Sequence, residues 1–319
     1  MFYSCLKSYA RLALKIYCRK IVVSNPSLLQ HRGPLLLAAN HPNSFLDGII
    51  ITTLYNYKIY SLARGDAFKT LRLNKLLRRL YLLPVYRTSE GAEHLAQNYA
   101  TFSACHDAFS RGEAVLIFSE GLCKNEWHLR PLRKGTARLA ISSWEQGIDV
   151  TVVPMAFNYS SFRCFGKTVH INIGDPLPKA DVLQHGSEGK RLVYFNELLQ
   201  LQLSELVYEI EPSDKTKLKR LFNVKQSSAS RILLALPAAA GWLLHAPLFY
   251  SIKLFANKKF NNEHYDAVML ALHFLLYPFY LLIVIAAGLK FFGGAALAGI
   301  LLMPFTAWAC VQLKKPLDD

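Results

Sequence analysis

Leu35–Asp47 reads LLLAANHPNSFLD, and the rest of the chain is organised around it. A run of apolar residues ends at Asn40. His41 and Pro42 follow, and the apolar pattern resumes after Asp47 in GIIITTLY. This pattern predicts a buried strand, a tight turn and a helix. Histidine is the side chain whose ordinary pKa suits a general base near neutrality. A carboxylate that fixes its tautomer completes a minimal proton-transfer pair. Positions 41 and 47 lie about 600° apart on a continuous helix, so the two side chains would not share a face. Pro42 disfavours helical backbone at His41. His41 therefore belongs in the turn, and Asp47, in the first helical turn, reaches back to it. A second reading needs no chemistry. Ser44 and Asp47 form an S-x-x-D capping box, in which Asp47 only starts the helix.

The chain has 319 residues, enough for one domain of usual size and an appendage. Lys and Arg number 37 against 22 Asp and Glu, a formal charge of +15. Such an excess favours a polyanionic partner: nucleic acid, an anionic bilayer or a phosphate-bearing substrate. Hydrophobic residues make up 52% of the chain and are densest in its last third, which favours the bilayer. The sequence carries no nucleic-acid motif. Cys5, Cys18, Cys105, Cys123, Cys164 and Cys310 form no C-x-x-C pair and no metal-like spacing with histidine. That usage fits a reduced, cytosol-facing catalytic region better than a disulfide scaffold.

Along the chain, residues 1–24 mix apolar residues with Lys7, Arg11, Lys15, Arg19 and Lys20 and hold no acid. They read as an amphipathic helix on an anionic membrane surface, or as an ordinary surface helix. Ile59–Ala63 is a short strand, and Ala67–Leu82 a basic helix with a solvated face. Leu83–Arg87 is a strand edge delivering an arginine, and Glu90–Ser110 an amphipathic helix. Ala114–Phe118, AVLIF, is a buried strand ended by Ser119-Glu120-Gly121. An acid at a strand's end occupies a usual site for function in α/β sheets; its bland role is a turn acid in an ion pair. Arg130, Arg133 and Lys134 precede a helix over Ala137–Glu145, as anion sites do. Val150–Asn158 is another buried strand, Lys167–Ile173 an edge strand and Leu192–Ile210 a helix. This alternation predicts an α/β domain over 25–210, with a largely parallel sheet flanked by helices. Residues 211–230 read as a polar, basic linker. Residues 231–319 read as a membrane-associated region. Pro237 and Pro247 suggest a re-entrant or in-plane segment at 232–252, and 268–313 a hydrophobic hairpin. Three full spans is the competing arrangement.

Set together, these pieces resemble the glycerolipid acyltransferase superfamily, which includes glycerol-3-phosphate and lysophosphatidate acyltransferases. The resemblance covers about residues 34–175. Its first motif, N-H-x4-D, resembles Asn40-His41-Pro42-Asn43-Ser44-Phe45-Leu46-Asp47, with one extra residue before the acid. The second, G-x-I-x-x-x-R, is similar to Leu83-Pro84-Val85-Tyr86-Arg87. The third, F-P-E-G-x-R-S, appears as Phe118-Ser119-Glu120-Gly121-Leu122-Cys123-Lys124, and the fourth, V-P-V, as Val153-Pro154-Met155.

The resemblance implies an O-acyltransferase that moves a fatty acyl group from acyl-CoA or acyl-ACP to glycerol 3-phosphate or a lysophospholipid. His41 would be the base and Asp47 would orient it. Arg87, Glu120 and Gly121 would hold the acceptor, with Lys124, Arg130, Arg133 and Lys134 as added phosphate contacts. An acyl thioester is already activated, so no metal or cofactor is expected. Membrane phospholipids are the expected surroundings, with the domain on the cytoplasmic face of the cell membrane. Two alternatives stand beside this: an acyltransferase for a non-phosphate acceptor such as an amino-acid lipid, and a catalytically silent membrane-binding protein. No G-x-S-x-G is present, which excludes the usual serine lipase pattern.

Overall fold

Leu35–Ala39 is buried at every position within a seven-stranded sheet in the computed structural model, which describes residues 2–86 and 95–314. Five apolar residues in a row suit a strand whose two faces both avoid water. The chain begins with α1 (Phe2–Tyr17), β1 (Cys18–Val23), β2 (Leu35–Ala39) and α2 (Ser44–Leu54). It continues through β3 (Ile59–Arg64), α3 (Leu71–Arg79), β4 (Leu82–Val85), α4 (Leu95–Ser110), β5 (Ala114–Phe118) and α5 (Gly135–Glu145). Then come β6 (Thr151–Tyr159), β7 (Lys167–Ile173), α6 (Lys179–Leu183), α7 (Glu188–Leu206) and α8 (Lys215–Leu221). The chain closes with α9 (Ser228–Lys259), α10 (Tyr265–Phe292) and α11 (Gly299–Leu313).

The sheet order is β1-β7-β6-β2-β5-β3-β4. The five strands from β6 to β4 are mutually parallel. β7 runs antiparallel to β6, and β1 parallel to β7. Side chains of β2 alternate between two cores, as pleating requires. Leu35, Leu37 and Ala39 face α1, α2 and the joined ends of α9 and α10. Leu36 and Ala38 face α4, α5 and α7. A leucine fully buried in this way contributes about 1.5–3 kcal/mol.

Several boundaries differ from those the sequence suggests. The helix expected over 1–24 ends at Tyr17, and Cys18–Val23 is the edge strand of the sheet. β7 is therefore covered by β1 and is not an edge. The α/β domain thus begins before residue 25. Two cations of α1 face the domain. The Lys7 ammonium donates to the Tyr57 carbonyl at 3.0 Å, and Arg11 donates twice to the Thr53 carbonyl. Arg11 meets a carbonyl in the last turn of α2, where cations complement the helix dipole. The expected linker 211–230 contains α8, and Phe222 beyond it is buried against His170 and Tyr208.

The segment 232–252, expected to be broken by its prolines, is continuous helix: α9 runs past Pro237 and Pro247. A proline removes one backbone bond without ending an apolar helix whose neighbours hold it. His245 bonds the Gly241 carbonyl, Ser251 donates to that of Pro247, and Tyr280 to that of Leu244. The turn of the expected hairpin lies at Gly293–Ala298, a short 3-10 segment between α10 and α11. Two helical stretches, Ser228–Lys259 and Tyr265–Leu313, are long and apolar enough to cross a membrane. Most of their apolar side chains are uncovered, Leu236 at 81% and Phe291 at 82% among them. That surface points to membrane association.

At Gly241, α9 packs closely on α11. A methyl group there would sit 2.1 Å from the Thr306 carbonyl oxygen. Gly241→Ala must therefore separate the two helices, at a cost of about 1–3 kcal/mol. Thermal unfolding in detergent should show an earlier transition. An unchanged melt would mean that this contact does not hold the helices together.

Candidate active site

Backbone bonding explains where the turn after β2 goes. Asn40 stands one residue past the strand. Its amide donates to the Phe157 carbonyl at 3.2 Å and accepts the Phe157 N–H at 2.7 Å. The side chain thus replaces a peptide group in the ladder with β6 while the main chain leaves the sheet. Ser119 N–H, just past β5, donates to the Ala39 carbonyl. The turn stands over the carboxyl ends of β2 and β5, the usual place for function in such sheets.

His41 Nδ1 lies 2.9 Å from Asp47 Oδ2. Asp47 is fully buried, whereas the His41 side chain is 18% exposed. The same carboxylate accepts the Asn43 N–H at 2.9 Å and the Tyr159 hydroxyl at 2.6 Å. Burial, and Asp47 beside it, raise the Tyr159 phenol well above its ordinary pKa, so it remains a donor. Pairing with a carboxylate places the proton on Nδ1. Nε2 then presents a lone pair, with no hydrogen-bond partner among the described residues. The ring is stacked on Phe118 at 3.7 Å, with 14° between planes. A hydrogen bond, a stack and partial exposure together suit an imidazole that takes a proton from a bound hydroxyl.

Ser44 begins α2 at φ +47, a left-handed value uncommon outside glycine. Its N–H points at Cys123 Sγ, 3.0 Å away, and its hydroxyl meets His264 Nδ1 at 2.8 Å. Burial pushes the Cys123 thiol up to about 12, so it stays protonated near neutral pH. It packs against the turn and accepts its Ser44 N–H.

Glu120 is 4% exposed, and both its oxygens accept backbone N–H groups: Oε2 from His41 and Oε1 from Arg130, each at 3.0 Å. Burial raises its pKa, and those two N–H groups pull it back. Here Glu120 ties the loop after β5 to the histidine. Gly121 follows at φ +69, and a methyl group there would come 2.9 Å from Arg133 Cγ. Lys124 bonds Glu263 at 2.9 Å and Arg130 bonds Glu126 at 3.0 Å, so both cations are already engaged. Arg133 and Lys134 are exposed and make no ion pair among the described residues. Arg87 lies outside the described residues.

His41, Asp47, Glu120 and Gly121 are thus brought together around one turn. Sequence reasoning missed Tyr159, Asn43 and the contacts from the α9–α10 turn. Tyr159 carried a usable signal: it ends a buried apolar strand with a polar atom that needs a partner.

Glu120→Gln leaves one acceptor where two N–H groups need one each. It should lower stability by about 1–3 kcal/mol in chemical denaturation. An unchanged midpoint would show that the two bonds carry no net stability. Alkylation near neutral pH should label exposed Cys5 well before Cys123, as peptide mass spectrometry would read; the reverse order would contradict the protonated thiol.

Residues 20–158 match the family model described as Acyltransferase. No curated protein matches the chain. Among solved structures, the chain is similar to the 1-acyl-sn-glycerophosphate (LPA) acyltransferase PlsC of Thermotoga maritima. Identity is 14% and the TM-score 0.43, covering 64% of this chain and 79% of that one. The matched segment, residues 20–158, holds His41, Asp47, Glu120 and the strand through Pro154, and is similar over that length to the Acyltransferase family.

Proposed function

We propose that the protein is a membrane-bound O-acyltransferase. It would move a fatty acyl group from a thioester, acyl-CoA or acyl-ACP, to the hydroxyl of glycerol 3-phosphate or a lysophospholipid. The observation that carries this reading is the 2.9 Å His41–Asp47 contact with Nε2 open, inside a segment matching an acyltransferase family.

The step balances with protein groups alone. Nε2 takes the acceptor's hydroxyl proton as that oxygen attacks the thioester carbonyl carbon. A C–O bond forms and the carbonyl oxygen becomes an oxyanion. The Asp47 carboxylate stabilises the imidazolium formed at His41 and keeps its plane. When the oxyanion collapses, the C–S bond breaks. The thiolate leaves and takes the proton from Nε2, which regenerates the neutral ring. No metal or bound cofactor takes part.

Arg133 and Lys134 are the cations best placed to meet an acceptor phosphate, together with Arg87 by its motif. Cations flank both ends of α9, and Lys253, Lys258 and Lys259 lie just before the turn that meets Ser44 and Lys124. Cations gather on the cytoplasmic side, which would place the site there. The engagement of Lys124 and Arg130 in ion pairs favours a second reading, an acceptor without phosphate.

His41→Ala should reduce transfer by about 10²–10⁴-fold with the fold intact, read as thiol release from acyl-CoA with a lysolipid acceptor. Full turnover in that variant would end the assignment. The same assay over glycerol 3-phosphate, lysophosphatidate and non-phosphate lysolipids separates the two acceptor readings. Only the second survives if the phosphate-free acceptors turn over as fast.

A further inference from the structure

The outermost part of the site comes from the far end of the chain. The turn between α9 and α10 and the start of α10 reach the site at three places. Glu263 bonds Lys124, and His264 bonds the Ser44 hydroxyl. Asp266, in the first turn of α10, accepts the Asn43 side-chain amide at 2.7 Å. The first of these is an exposed pair, which contributes little. The last is buried on both sides: Asn43 is 0% exposed and Asp266 is 1%.

Asp266 is the hub of that contact. Its carboxylate also takes the Lys167 ammonium, at the start of β7, and the Tyr17 hydroxyl, at the end of α1. A buried ion pair is a poor device for stability, because apolar side chains of the same volume commonly serve as well. Its better-attested use is to fix a register. Here it fixes Asn43.

Asn43 is in an unusual position for its type. It is the N-cap of α2, where an asparagine ordinarily accepts from a first-turn N–H. It makes no such bond. Its Oδ1 is buried with no partner among the described residues. The Asp266 carboxylate is therefore the side-chain anchor that holds Asn43. The Asn43 backbone N–H in turn donates to Asp47 Oδ2, the oxygen that holds His41. The contacts run from Asp266 on α10, itself paired with Lys167 of β7, through Asn43 and Asp47 to the His41 imidazole.

We infer that Asp266 is a positioning residue for the His41–Asp47 pair, so that the catalytic turn is set only when the α9–α10 hairpin is docked on the domain. The inference rests on the reading of His41 as the base. Asp266 touches no reacting atom and acts through Asn43.

The test uses the full chain in detergent, with acyl-CoA and lysophosphatidate as probes. Lys167→Met with Asp266→Leu replaces the buried pair by apolar side chains and removes the Asn43 anchor. The Asn43 amide and the Tyr17 hydroxyl lose their acceptor, so the melting temperature should fall by a few degrees with the fold intact. The kcat should fall at least about 10-fold while KM for both substrates stays within about 2-fold, the mark of an interaction needed only at the transition state. Asn43→Ala should give a similar fall, and adding it to the double variant should cause little further loss, since all three changes break one path. A purely structural role would lower the melting temperature alone, without splitting kcat from KM.

Wild-type kcat in the folded double variant, or losses that simply multiply, would overturn the inference. If the double variant does not fold, Asn43→Ala decides alone: an unchanged kcat overturns it and a selective kcat loss supports it. His41→Ala in the same assay keeps the two failures apart. If that variant is dead while the double variant is fully active, only the positioning role fails. If it retains turnover, the base assignment falls and the positioning role with it.

Discussion

A carboxylate shut away from water needs donors, and the Asp47 group sets the geometry around it for that reason. An ionised acid in the interior costs several kcal/mol unless hydrogen bonds replace its lost water. Three groups supply them: the His41 ring and Asn43 N–H from the turn, and the Tyr159 hydroxyl from the end of β6. Bonds to a charged group are worth about 1.5–3 kcal/mol each. The turn, the start of α2 and the end of β6 thus cannot drift independently. The positive φ at Ser44 fits this account, since backbone strain persists only where the surroundings over-determine it.

Glu120 repeats the device on the other side of the histidine. Its two oxygens bind the backbone at His41 and Arg130, tying the loop after β5 to the turn after β2. One carboxylate fixes the ring and the other fixes the chain that carries it. This separates two jobs that a motif comparison merges. An acid in a shared motif suggests a hand on the substrate, but a carboxylate with both oxygens already bonded to backbone is holding its own loop. The exposed cations are the groups free to meet a ligand, and Arg133, whose side chain crosses Gly121, lies beside that loop.

The central parts of this arrangement were legible in the sequence because they depend on local pattern. LLLAA and AVLIF allow little but buried strands, and Pro42 forces His41 out of a helix. The His41–Asp47 contact follows from those two facts and a reach of six residues. What could not be read depends on distance along the chain. Cys18–Val23 continues the apolar and basic pattern of α1, and only the presence of β7 makes it a strand. Tyr159 lies 112 positions from its partner Asp47, and Asp266 lies 223 from Asn43. Nothing in a single sequence marks such pairs. Pro237 and Pro247 misled in the other direction: their local effect is real, but packing against α10 and α11 overrides it.

The placement of the site against the α9–α10 turn bears on how a lipid acceptor would reach His41. Drawing a fatty chain out of a bilayer costs about 0.8 kcal/mol for each methylene exposed to water. For a chain of roughly sixteen carbons the total is on the order of 12 kcal/mol, comparable to the whole barrier reduction of a modest enzyme. A base that sits beside the helices crossing or lying in the membrane avoids that cost, because only the head group and its hydroxyl need to leave the interface. The uncovered apolar surface of α9 and α10 and the partly exposed imidazole then belong to one design. On the proposed function, the first would keep the domain where the acceptor is, and the second would meet the hydroxyl at the interface.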